Sequence, residues 1–92
     1  MNNIVYIEAC KPYIVLHYFD GSRECRRGSL IQFEREISFP FSRAGRKYLV
    51  NMEHLKEISE SLVLDNGSRL RISKAAKAKL KVDLMKYIEE KQ

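Results

Sequence analysis

The sequence predicts a mainly β, antiparallel fold with short helices and one C-terminal helix. Three observations predict it. Strand-length runs of β-branched and aromatic residues flank two hairpin turns, Asp20-Gly21 and Asp65-Asn66-Gly67. Ser29 and Gln32 have the spacing of a capping box at the head of a short helical stretch that stops before Pro40. Ser73 precedes a longer stretch, about residues 74–90, whose apolar residues recur at helical spacing. At 92 residues, a single small domain over 1–92 is expected, large enough to bury a modest core.

The elements follow in order. In residues 4–9, Ile4 and Tyr6 alternate with Val5 and Ile7 ahead of Glu8, as in a strand. Lys11-Pro12 ends it, because proline donates nothing to a ladder. Residues 13–19 form a second strand, and Asp20-Gly21 turns the chain into a third, Arg23 to Arg27, with Cys25 as its small apolar residue. Gly28 closes that segment, and Leu30, Phe33 and Ile37 share one face of the first helix. Residues 41–50 are mixed, with Gly45 loosening the middle and Lys47 to Val50 extended. Asn51 is placed to cap a single turn through His54 and Leu55. Residues 57–64 read as one strand, paired after the turn with residues 69–72, where Leu70 and Ile72 share one face and Arg69 and Arg71 the other. Ala76, Leu80, Leu84 and either Tyr87 or Ile88 make the stripe of the last helix. The expected core includes Ile7, Ile14, Leu16, Phe33, Leu49, Ile58, Leu80 and Leu84.

Apolar residues make up 45% and charged residues 32%, the profile of a soluble globular domain. No apolar run approaches the roughly 18 residues of a membrane span. The first ten residues lack the basic and long apolar regions of a signal peptide, so a cytoplasmic location and free thiols at Cys10 and Cys25 are expected. Within these 92 residues no receiver, kinase or nucleotide-binding domain is expected beside this fold. No catalytic activity, cofactor or metal is expected. His17 and His54 are far apart in sequence, the cysteines lack metal-ligand spacing, and there is no HExxH and no glycine-rich phosphate loop. His17 reads as a packed strand residue and His54 as a surface or cap partner, while Glu34 with Glu36 and Glu89 with Glu90 read as solvated faces.

Charge is the informative feature. The 17 Lys and Arg against 12 Asp and Glu give +5, a balance that tilts toward a polyanionic partner. From Asn66 to Val82 stand Arg69, Arg71, Lys74, Lys77, Lys79 and Lys81 with no acid between them. Lys74, Lys77 and Lys81 fall on one side of a helix. Arg43, Arg46 and Lys47 surround Gly45, and Arg23, Arg26 and Arg27 form a third group, whereas acids gather at 34–36 and 53–60. Charge alone suits a phosphate-binding face and a solvated lysine-rich face equally.

The collinear order of short motifs resembles the LytTR family of bacterial DNA-binding domains. The matching pieces are Ile4 to Ala9, Lys11 to His17, Asp20-Gly21, Ser29-Leu30, Phe41 to Arg43, Arg46 to Asn51, His54-Leu55, Ile58, Asn66-Gly67 and Ile72-Ser73-Lys74. They span roughly residues 4–88. The resemblance implies antiparallel strands packed in layers, sandwich-like, and contact with double-stranded DNA by loops and strand ends that enter successive major grooves of a bent duplex. It implies the output domain of a two-component response regulator, acting in transcription, with two copies on a direct-repeat promoter site.

The resemblance also assigns residues. Tyr13 falls in the loop before the second strand, at a position expected to contact base or backbone. Arg46 occupies the arginine of the family's His-Arg-Ser stretch, able to reach phosphate or guanine. Lys74 follows Ile72-Ser73, where the family commonly has arginine, and Ala75 replaces a second residue that is often basic. Gly45 and Lys47 depart from the usual His and Ser around Arg46, a departure that touches base specificity and leaves the DNA face in place. The expected DNA-binding face holds Arg46 and Lys74 with Tyr13 and several of Arg43, Lys47, Lys77, Lys79 and Lys81; Tyr48, Leu49 and Val50 are assigned to core and Asn51 to a cap. The family usually has a further strand ahead of the Ile4 motif. Met1 stands three residues before it, so that strand is expected to be short or absent, in an excised domain or a compact stand-alone member, with an exposed edge able to pair with a second chain. The alternative reading is a protein-interaction module of the same fold, docking to a membrane-bound sensor or inhibitor, with no insertion into the membrane. RNA binding ranks third, for want of the aromatic RNA-binding motif.

Overall fold

The structure, a computed structural model, describes residues 3–37 and 40–91. Among the described residues eight strands and two helices follow one another: β1 (Ile4–Cys10), β2 (Tyr13–Tyr18), β3 (Arg23–Arg27), α1 (Leu30–Glu36), β4 (Phe41–Ala44), β5 (Tyr48–Asn51), a 3₁₀ turn (Met52–His54), β6 (Leu55–Ile58), β7 (Leu62–Leu64), β8 (Arg69–Leu70) and α2 (Lys74–Lys91). The strands make an antiparallel five-stranded sheet in the order β3-β2-β1-β5-β4 and an antiparallel three-stranded sheet in the order β6-β7-β8.

The sequence pattern of β1 explains the layering. Val5 and Ile7 are both fully buried because a separate apolar cluster covers each face of the five-stranded sheet. On one face Ile7, Ile14, Leu16 and Leu49 pack with Leu30 and Phe33 of α1. On the other, Val5, Tyr6 and Val50 pack with Leu62, Leu64 and Leu70 of the small sheet and Leu80 of α2. A bulge between Ile4 and Tyr6 breaks the two-residue alternation, so that the neighbours Val5 and Tyr6 reach the same cluster. The strand β3, Arg-Glu-Cys-Arg-Arg, is exposed throughout, and its charges blunt a free sheet edge.

Both hairpin turns close as the sequence indicates. The capping box at Ser29 is complete, with the Ser29 hydroxyl accepting from the Gln32 N–H and the Gln32 side chain accepting from the Ser29 N–H. The structure departs from the sequence reading in four places. Residues 41–44 form β4, hairpinned to β5 through Gly45, whose φ of +77° is a left-handed conformation open chiefly to glycine. Residues 57–64 are two strands, not one: Ser59-Glu60-Ser61 folds back and β6 pairs with β7. The strand after the second hairpin turn is only Arg69–Leu70, because Ser73 already opens α2 by accepting from the Ala76 N–H. Ile58 and Leu84 are only partly buried, packing at the margin of a core whose interior holds Leu62 and Leu64. The strand expected to be missing ahead of Ile4 would fall on residues 1–2, outside the described residues. β1 itself leaves no edge for a second chain, since β2 and β5 pair with it on either side.

Asn51 is the one polar residue buried among the described residues. Its amide donates to the Ile4 carbonyl at 2.8 Å and its carbonyl accepts from the Glu53 N–H at 2.9 Å, tying the end of β5 to the start of β1 and capping the 3₁₀ turn. Replacing Asn51 by Ala strands both backbone groups without water. The expected loss is about 1–3 kcal/mol, read as a lower urea midpoint at unchanged slope.

Candidate nucleic-acid interface

Strand register gathers the functional residues. Tyr13, the first residue of β2, pairs with Cys10 at the end of β1 and with Arg27 at the end of β3. Tyr48, the first residue of β5, pairs with Glu8 and with Ala44 at the end of β4. The β1–β2 connection at Lys11-Pro12, the β3–α1 junction at Gly28-Ser29 and the β4–β5 turn Gly45-Arg46-Lys47 therefore emerge at the same end of the sheet. The start of α2 joins them, for a Cβ at Gly45 would stand 3.8 Å from the Ala76 Cβ.

Two clefts meet at Arg46. One is lined by Lys11, Tyr13, Ser29, Arg43 and Arg46, the other by Arg46, Lys47, Arg71 and Ser73. Arg46 is exposed at the tip between them. Arg43 plays a different part. Its guanidinium donates to the carbonyls of Gly45 (3.3 Å) and Arg46 (3.5 Å) and pairs with Glu34 (3.3 Å), so it braces the turn that presents Arg46. Lys47 lies 3.8 Å from the Glu8 carboxylate and 5.9 Å above the Tyr48 ring. Glu8 also holds His17 Nε2 at 3.1 Å, and His17 stacks on Tyr6 with ring centroids 4.1 Å apart. Tyr13 is exposed, and Lys74 opens α2 directly after Ser73.

The structure thus brings Tyr13, Arg43, Arg46 and Lys47 together around the two clefts, and Lys74 follows Ser73 at the edge of the second. At 100° per residue, Lys77 and Lys81 lie on the flank of α2 turned away from Lys79, Asp83 and Lys86, and they line neither cleft. Sequence reasoning left Lys11, Arg27 and Arg71 out of the site. Only the fold reveals them: Lys11 lines one cleft with Arg46, Arg71 lines the other, and Arg27 faces Tyr13 across the ladder.

The residue-matching profile of the LytTr DNA-binding domain covers residues 1–85. The chain belongs to the LytTR family of DNA-binding domains. Among solved structures it is similar to the LytTr DNA-binding domain of a Bacillus cereus protein named as a methyl-accepting/DNA response regulator. The TM-score is 0.79 at 24% identity, over 90% of this chain and 82% of that one, a likeness of fold. No curated protein matches the sequence.

The far end of this LytTR domain has the opposite character. Asp20, Glu53 and Asp65 stand there, with His54 Nδ1 bonded to Asp65 at 2.8 Å and its ring stacked on Phe19. Hydrogen bonds from the Ser22 hydroxyl and N–H hold the Asp20 carboxyl below the usual carboxylate range. In the groove between β4 and α2, burial pushes the Asp83 carboxyl up, but hydrogen bonds from Lys79 and Ser42 outweigh it and leave it lowered. Both histidines of the LytTR domain thus sit in packed, bonded positions, and Cys10 and Cys25 are exposed free thiols. Among the described residues no cluster of His, Cys, Asp or Glu is arranged to hold a metal, and no helix is long and apolar enough to cross a membrane.

Proposed function

We propose that this domain binds double-stranded DNA sequence-specifically, through the sheet end that presents Arg46, as the output domain of a bacterial two-component transcriptional regulator. The observation that carries the reading is the position of Arg46, braced by Arg43 between two clefts that Lys11, Lys47 and Arg71 also line. Family membership supports it. A protruding turn with one projecting guanidinium suits a major groove about 12 Å wide, where arginine reads guanine through paired hydrogen bonds. Tyr13 and the lysines around it contact the flanking backbone and set register. The domain works by binding, not catalysis, and residues 1–92 act as one unit. Two copies occupy a direct-repeat site, and a receiver domain or membrane-bound regulator controls their access to it.

Selection from random double-stranded fragments, with sequencing of the bound pool, tests this. The expected result is one motif recurring in the same orientation. On that motif, log affinity should fall against log salt with a slope of about −4 to −5 per protomer if about 4–6 phosphates are neutralised. A pool without a recurring motif would overturn sequence-specific reading. A flat salt dependence would remove the phosphate-binding face and favour a protein-interaction module.

A further inference from the structure

The helix α2 carries two apolar stripes. The inner one, Ala76, Leu80, Leu84 and Tyr87, packs on the core. The outer one comprises Ala75, Ala78, Val82 and Met85, all exposed, with Val82 at 53% and Met85 at 63%. Their spacing of three and four residues is that of a coiled-coil seam, and at 100° per residue they lie within one narrow arc. Lys74 and Lys81 border this arc on one side, Lys79 and Lys86 on the other, and Glu89 closes it. Lys74 and Lys81 make no ion pair among the described residues.

We infer that the outer face of α2 docks an amphipathic helix of another protein, one whose apolar seam is bordered by Asp or Glu. The small Ala75 and Ala78 let a partner backbone approach closely, and Val82 and Met85 supply the knobs. The lysine borders select the partner's charge. A second copy of this chain would set lysine against lysine in either helix orientation, so self-pairing is disfavoured. The stripe has none of the Trp, Phe or Leu with which surface helices enter lipid headgroups. DNA gains nothing from an apolar seam. The seam shares Lys74 with the DNA face, and Val82 and Met85, which line neither cleft beside Arg46, separate the two readings.

The test uses the whole chain and three labelled synthetic helices about three heptads long. One has leucine at the seam and glutamate at both borders, the second has lysine at the borders, and the third scrambles the first. Fluorescence anisotropy should show binding of the glutamate-bordered helix, at least about tenfold weaker binding of the scrambled one, and none of the lysine-bordered one. The double substitution V82S/M85S should weaken the glutamate-bordered helix by at least about tenfold while leaving affinity for random double-stranded DNA unchanged. K86E should weaken that helix and admit the lysine-bordered one. Equal binding of the scrambled helix would mean plain polyanion attraction and overturn the inference. So would indifference to V82S/M85S in a variant whose circular dichroism is native, stronger binding to phosphatidylglycerol vesicles that V82S/M85S abolishes, or a dimer of the chain that V82S/M85S dissolves.

Discussion

Arg46→Ala is expected to weaken binding to the selected DNA site by about 1–3 kcal/mol, roughly 5- to 150-fold. The magnitude follows from what arginine does at a base edge: two parallel hydrogen bonds to guanine, lost together and replaced by nothing. Lys11→Ala supplies the contrast. Lys11 lines the cleft on one side of Arg46, and its loss should lower affinity alike on selected and random DNA and flatten the salt slope by about one. Arg46→Ala should instead erode the ratio between the two. Arg43→Ala tests the brace. If Arg43 acts through the Gly45 and Arg46 carbonyls, the double variant should lose less than the sum of the single losses, because the second change removes what the first has already misplaced. Arg46 and Lys11 lie outside the core, so circular dichroism of both variants should be native. If Arg46→Ala and Lys11→Ala both left affinity unchanged at moderate salt, the DNA face would be elsewhere on the molecule.

Leu80→Ala is expected to destabilise the fold by about 2–5 kcal/mol. Leu80 is wholly buried in the cluster that joins both sheets to α2, so its truncation leaves a cavity that no single neighbour can fill. Against a total stability of roughly 5–14 kcal/mol for a chain of this length, that is a large fraction. Met85→Ala, on the outer side of the same helix, should stay within about 0.5 kcal/mol of the parent. Urea unfolding of the two variants measures both. Equal midpoints would mean that the inner stripe does not hold α2 to the sheets.

Much of this fold is legible in the sequence because its determinants are local. The Asp20-Gly21 and Asp65-Asn66-Gly67 turns, the Ser29 box, the Asn51 cap and the Ser73 start of α2 each lie within a few residues. What escapes is what tertiary context decides. Residues 57–64 read as one strand because apolar residues stand on both sides of Ser59-Glu60-Ser61, but that polar triplet interrupts the alternation, and the pairing of Leu55 with Leu64 shows the reversal. β4 is hidden because Phe41 and Ala44 are buried by opposite layers while the polar Ser42 and Arg43 stand between them, so no run of alternating apolar residues marks the strand. In the same way Arg46 and Lys74 are visible through motif, while Lys11, Arg27 and Arg71 become neighbours of the site only once the register is known. The position of Ile88 follows the same rule: helical spacing admits it to the inner stripe beside Tyr87, but Tyr87 occupies that place and Ile88 turns outward.

The separation of charge between the two ends of the five-stranded sheet matters before any contact forms. A body with cations at one end and Asp20, Glu53 and Asp65 at the other experiences a torque in the field of a polyanion, and it turns as it diffuses. Encounters then arrive with the Arg46 turn leading, and fewer collisions are wasted on misoriented approach. That advantage belongs to the arrival rate and fades as the screening length shrinks toward about 10 Å at 0.1 M salt. Reversing Asp20 and Glu53 to lysine would therefore slow productive capture relative to total charge, although it adds positive charge and touches nothing in the bound state.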